Sequence, residues 1–143
     1  PDVSTYLSSD YIEEHLSMFD DGVTIIQRDE AYKRFTLSSG IVGVQSDNTL
    51  FVMPKSFCDD VLNKANGDIS YIEKALGFGE GHLSEGAWRI DIDNISDLNL
   101  RLPNGNEYGA NSYWIPGGYT SGGVPEAISD TISLSETTVT KLN

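Results

Sequence analysis

Glu126 is the residue in this sequence best placed to do chemistry. It sits after a long polar loop, residues 103–123, within a short apolar stretch, residues 124–128, where strand pairing would hold its carboxylate rigidly. The segment 103–126 carries six glycines, several side-chain amides and hydroxyls, and the rings of Tyr113, Trp114 and Tyr119. Glycine lets backbone approach a ligand closely, and flat rings offer stacking surfaces. A loop of about twenty residues is longer than most connections, which points to a functional loop. The plain alternative is a solvated hairpin with Glu126 on its edge. Arg28 ends an early β-branched strand. One or two well-placed arginines can hold a pyrophosphate even in an acidic protein.

Helical spacing puts Tyr11, Ile12, His15, Leu16 and Phe19 near one face of a first helix, residues 9–19, capped by Ser9 or Asp10 and ended at Asp20-Asp21-Gly22. Residues 23–27 read as a buried strand leading to Arg28, and residues 29–35 as a short helix or turn. Residues 40–44 and 49–53 are further extended candidates. Residues 55–64 and 69–76 predict two short helices, broken at Asn66-Gly67-Asp68, with Gly77 as a left-handed cap. After a glycine-rich loop, residues 79–86, the alternation of residues 87–93 sets Trp88, Ile90 and Ile92 opposite Ala87, Arg89, Asp91 and Asp93, a strand with one wet face. Residues 98–102 alternate weakly, and residues 124–128 and 131–139 read as closing strands. The expected class is α+β, with one domain spanning residues 1–143.

The formal net charge is −13, from 9 basic and 22 acidic residues. Double-stranded nucleic acid is held mainly through Lys and Arg on phosphates, so this balance argues against a general nucleic-acid clamp and suits a basic protein partner. The one cysteine, Cys58, excludes a disulfide within the chain and fits work in a reducing cytosol. Two histidines and one cysteine offer no zinc constellation, so no metal is expected. No apolar run approaches the roughly 20 residues of a membrane span. The opening Pro1-Asp2-Val3-Ser4 has no charged-then-apolar leader and reads as an excised fragment.

The order of parts carries more than any one residue. A strand-end Arg28 opens Arg28-Asp29-Glu30-Ala31-Tyr32-Lys33-Arg34-Phe35. A helical block and a central Trp88 strand follow. Then come Trp114, Pro116-Gly117-Gly118 and a strand bearing Glu126. Over roughly residues 23–128 this resembles the ADP-ribosyltransferase-like fold with its split β-sheet core. Within that fold it is similar to the NAD glycohydrolase toxins of the tuberculosis-necrotizing-toxin type. The stretch from Leu76 to Ala127 also resembles C-terminal toxin tips of Rhs and other polymorphic bacterial toxins. The pattern departs from those families in four ways, the first being a longer loop before the Glu126 strand. Glu126 stands where the glycohydrolase toxins present Gln, a Ser-Thr-Ser strand is missing, and Val124 replaces the first acid of a Glu-x-Glu pair.

The resemblance implies NAD⁺ as substrate. Glu126 would face the ribose as positive charge develops there. Arg28, or Arg34 in its place, would hold the pyrophosphate. Trp114 or Tyr119 would stack on nicotinamide, and Gly117 and Gly118 would admit its carboxamide. Tyr32 and Thr120 complete the expected cofactor-binding set. Transfer of ADP-ribose to a macromolecular acceptor is the leading expectation, and NAD⁺ hydrolysis the alternative. The resemblance also implies delivery by the producing bacterium into the cytoplasm of a target cell, and a cognate immunity protein. Two other readings stand beside it: a toxin nuclease, weakened by the acidity and the lack of paired histidines, and a binding module with the long loop as its contact surface. Glu107 is a second possible acid, placed mid-loop where it would be poorly held. His82 is a loop histidine with possible acid–base use. Cys58, beside Asp59 and Asp60, is a poor nucleophile because like charge raises a thiol pKa.

Overall fold

A computed structural model of the chain describes residues 2–107 and 117–143. In chain order the elements are α1 (Ser9–Ser17), β1 (Val23–Arg28), α2 (Asp29–Ala31) running into a π-helix (Tyr32–Leu37), β2 (Ile41–Val42), β3 (Leu50–Pro54), α3 (Lys55–Ala65), α4 (Ile69–Ala75), β4 (Ala87–Ile92), β5 (Ala127–Ser129), β6 (Ile132–Ser133) and β7 (Thr138–Lys141). The class is α+β. Ser8 caps α1, one residue ahead of the expected Ser9 or Asp10, and accepts from the Tyr11 N–H at 3.1 Å. Residues 131–139 form two strands rather than one, separated by a 3₁₀ turn at Leu134–Glu136. Within residues 98–102 only Arg101 makes a bridge, to Ile128.

Five strands make an antiparallel sheet in the order β5-β3-β1-β4-β7, and β2 pairs with β6 apart from it. Strand alternation assigns each side chain to a face. Val23, Ile25, Leu50, Val52, Ile90, Ile92 and Ala127 bury one face against Phe19, Tyr32, Val42, Leu98 and Ile132. Ile26, Met53 and Ala87 bury the other against Cys58, Val61 and Ala65 of α3, Ile72 of α4, Leu76, Leu83 and Val124. The expected wet face of β4 is therefore a correction. Arg89 and Asp91 lie under α3 with side chains only 13% and 12% exposed. They form a network: Arg89 reaches Asp59 at 2.7 Å and Asp91 at 3.0 Å, and the fully buried Thr24 hydroxyl donates to Asp91 at 2.5 Å. Alternation separates two faces but does not distinguish water from a helix that supplies ion-pair partners.

The sheet forks. β1 pairs with β3 only at Val23–Pro54 and Thr24–Met53. Beyond Thr24, β1 stays paired with β4 as far as Arg28–Ala87, and β3 stays paired with β5 from Val52–Ala127 to Leu50–Ser129. Residues 117–126 close one side of the fork by turning back on themselves. Thr120 and Val124 bond across the turn, at 2.8 Å between the Thr120 N–H and the Val124 carbonyl, and Gly122 rests on the end of α4. A Cβ at Gly122 would overlap the backbone of Lys74 and Ala75. Backbone cannot step aside as the tip of a side chain can. Gly122→Ala is therefore expected to cost about 1–3 kcal/mol, a typical overpacking penalty. The check is thermal unfolding, where Tm should fall by several degrees.

Candidate active site

The fork opens into a cleft of about 390 Å³, the open solvent at its mouth included. Thr24, Ile25 and Ile26 line one wall, and Phe51, Val52 and Met53 the other. Leu76 and Phe78, from the end of α4 and its cap, Thr120, Pro125 and Glu126 complete the rim. The register explains the position of Glu126. Val52 is opposite Ala127 and Thr24 opposite Met53, so Glu126 falls level with Met53 at the base of the fork, where β1 and β3 part.

Burial pushes the half-buried Glu126 carboxyl up to about 7, and the charge of Glu107 adds to the rise. Glu107 is not poorly held, as its mid-loop position suggested. Its carboxylate accepts from the N–H groups of Asn104, at 3.1 and 3.3 Å, and Gly105, at 3.1 Å, and the Asn104 side chain accepts from the Asn106 N–H at 2.8 Å. This small turn fixes a second acid within electrostatic reach of the first. Paired carboxyls in unequal surroundings can divide acid and base roles between them.

The backbone of Glu126 is equally fixed. Its N–H donates to the Gly118 carbonyl at 2.6 Å, and its own carbonyl is 2.9 Å from His15 Nε2. Gly118 has φ +80°, and a Cβ there would stand 2.5 Å from His15 Nε2. Only glycine lets this segment pass so close to the histidine ring.

No protein-family model matches this chain, and no curated protein is significantly similar to it. The site therefore rests on its own geometry.

That geometry gathers Gly117, Gly118, Tyr119 and Thr120 with Glu126. Tyr119 lies with its ring edge-on to His15 at 5.1 Å. The Thr120 hydroxyl faces the cleft but donates to the Ala75 carbonyl at 2.6 Å and accepts from the Val124 N–H at 3.2 Å, a structural use. Trp114, together with Tyr113 and Pro116, lies outside the described residues. Arg28 is not beside Glu126. It lies four residues beyond Thr24 on β1, about 13 Å further along at ordinary strand rise, where it pairs with Glu30 at 3.4 Å. Its charge acts on His82, whose pKa is lowered by desolvation first and by Arg28 second. His82 stacks on Phe78 at 4.5 Å, and Phe78 lines the cleft. Arg28 thus stands behind the Phe78 wall rather than opposite the acid. Arg34 is exposed, pairs with Glu30 at 3.8 Å and lies over the Phe35 ring. Tyr32 is 6% exposed and stacked on Trp88 at 4.6 Å in the core on the opposite face of the sheet, away from the cleft.

Cys58 is fully buried, and desolvation pushes its thiol up to about 12, with Arg89 only partly opposing. It is inert at neutral pH. The buried Glu73 carboxylate accepts from the Gly81 N–H at 3.2 Å and the Leu83 N–H at 2.7 Å, which holds the loop that carries His82. Among the described residues, no three His, Cys, Asp or Glu side chains gather as a metal site, and no helix is long and apolar enough to cross a membrane. Sequence reasoning missed Phe78 and the role of His15. It placed His15 on the inner face of α1, and a histidine among apolar neighbours was the available signal of a buried polar contact.

Proposed function

We propose that this domain cleaves the nicotinamide–ribose bond of NAD⁺ and transfers ADP-ribose to a macromolecular acceptor. The observation that carries this reading is Glu126, fixed at the base of a forked antiparallel sheet, with the charge of Glu107 within reach. Raised to about 7, its carboxyl is close to half-protonated at neutral pH. A cationic nicotinamide ring nearby favours the ionised form. The carboxylate then faces the ribosyl cation as the C1′–N bond breaks and its electron pair passes to the nicotinamide nitrogen. The acceptor adds at C1′ and gives its proton to one of the two acids. The forked sheet is consistent with an ADP-ribosyltransferase-like fold, and the Gly117-Gly118 segment beside Glu126 supports the same reading.

On this reading the diphosphate extends out of the cleft past Phe78, and Arg28, four residues beyond Thr24 on β1, receives it there. Arg28→Ala is expected to raise KM for NAD⁺ about tenfold, the effect of one charge-assisted hydrogen bond, with kcat changed much less. Initial rates over a range of NAD⁺ concentrations check this. An unchanged KM removes Arg28 from the site.

The proposal extends to context. The domain acts as a toxin delivered by its producer into the cytoplasm of a recipient cell. A cognate immunity protein covers the cleft with a basic surface suited to a chain of net charge −13. The deciding experiment is nicotinamide release from NAD⁺, with and without recipient-cell lysate. Release that rises with lysate, with label retained on macromolecules, supports transfer. Rapid release without lysate points to hydrolysis by the same two acids. No release in either arm overturns the reading.

A further inference from the structure

α1 contacts the cleft segment through side chains that the proposed chemistry does not use. His15 is 3% exposed, and its Nε2 lies 2.9 Å from the Glu126 carbonyl. Gly118 packs against the same nitrogen, where a Cβ would stand 2.5 Å from Nε2, and the Glu126 N–H donates to the Gly118 carbonyl at 2.6 Å. One ring nitrogen therefore gathers both sides of the bridge that carries Glu126. One turn earlier on α1, the Tyr11 hydroxyl donates to the Gly117 carbonyl at 2.6 Å. The rings of Tyr11, Phe19 and Tyr119 stand 5.1–6.0 Å from the His15 ring. Burial lowers the His15 pKa while the two backbone partners favour its protonated form. A neutral ring that keeps its proton on Nε2 meets both demands, because it donates to the Glu126 carbonyl without a buried charge.

We infer that His15 is a positioning residue: its Nε2–H, seconded by the Tyr11 hydroxyl, clamps the Gly118–Glu126 bridge to α1 and thereby holds the Glu126 carboxyl inside the cleft. The role needs both halves of the side chain. Leucine would fill the space but leave a buried carbonyl without its donor, and a small amide would donate but leave the ring cluster open. The inference rests on the reading of Glu126 as the reacting acid. The clamp itself has a signature that needs no NAD⁺, because a carboxyl released to water titrates near its ordinary value.

The test follows the Glu126 side-chain carboxyl by ¹³C NMR across pH 3–9 in the whole protein, alongside nicotinamide release. His15→Phe keeps a ring among Tyr11, Phe19 and Tyr119 and removes the donor. It is expected to lower the Glu126 midpoint by about one unit or more, toward the ordinary carboxyl value, and to lower kcat about tenfold with KM for NAD⁺ nearly unchanged. His15→Gln places an amide donor at similar reach without the ring and is expected to restore part of both. Tyr11→Phe cuts the outer tie at an exposed position and moves the midpoint the same way by less. If His15→Phe does not fold, Tyr11→Phe and His15→Gln decide. A midpoint unchanged in a folded His15→Phe, or in Tyr11→Phe where that variant decides, overturns the clamp. The two readings fail separately. Midpoints that shift in a protein releasing no nicotinamide leave the clamp standing and remove the NAD⁺ reading. Nicotinamide release with unshifted midpoints does the reverse.

Discussion

Glu126→Gln is expected to reduce nicotinamide release by about two to three orders of magnitude while the domain stays folded. The size follows from what the side chain supplies. Loss of one preorganised electrostatic partner at a developing charge typically costs a factor of about 10²–10³, and loss of a positioned acid or base a similar or larger factor. Glutamine keeps the shape and the hydrogen-bonding capacity of the neutral acid, so packing against Met53 and Pro125 should persist. It cannot become an anion when the ribosyl cation forms. Glu107 stands close enough to raise the Glu126 pKa, and on the proposed mechanism it would supply any residual rate. The double variant Glu107→Gln, Glu126→Gln should then fall further. The measurement is kcat/KM for nicotinamide release from purified protein, with circular dichroism to confirm the fold. A Glu126→Gln protein of wild-type activity would remove the site.

The same carboxyl sets the second large effect, on stability. In the folded chain Glu126 titrates near 7, against an ordinary value of 4.5. The folded state therefore binds more protons than the unfolded state between these values, and stability falls as pH rises through that window. At about 1.36 kcal/mol per unit, the loss is at most on the order of 3 kcal/mol and is complete only above pH 7. Glu126→Gln removes the titration. The variant should match wild type near pH 4.5 and exceed it by up to that amount at pH 8, an exchange of activity for stability of a familiar kind. Chemical denaturation of both proteins at the two pH values reads the difference directly. A gap that does not widen with pH would show that Glu126 titrates normally and is not held in the cleft.

Local order was legible in the sequence wherever one period dominated. The inward face of α1, with His15 buried and Ile12 and Leu16 partly buried, followed from helical spacing, as did the buried Phe19 just past its end, whereas Tyr11 is 38% exposed. β1, α3 and α4 lie within a residue of their expected ends, and Gly77 takes the left-handed cap at φ +75°. Glu126 was legible as a held acid because an apolar strand follows a glycine-rich loop. The fork was not legible. It is set by how far β1 and β3 stay in register, and that depends on partners some thirty residues away in the chain. The hold on Glu107 was missed because it depends on backbone N–H groups of its own turn, although Asn104-Gly105-Asn106 is a turn signal that could have exposed it. Arg28 was correctly set at a strand end, but strand order alone did not give the distance that separates it from Glu126.

The two faces of the fork have different fates. On one, Ile25 and Val52 meet in the core with Leu50 and Ile90 and form a sealed floor. On the other, the walls rise toward α4 and the Gly118–Glu126 bridge. If the domain acts on NAD⁺ as proposed, nicotinamide leaves on the side away from this floor, the side that also admits an acceptor. Water can slip past a lingering product, whereas a bulky acceptor has to queue behind it. Some hydrolysis would then accompany every transfer, and added nicotinamide should slow transfer more than hydrolysis.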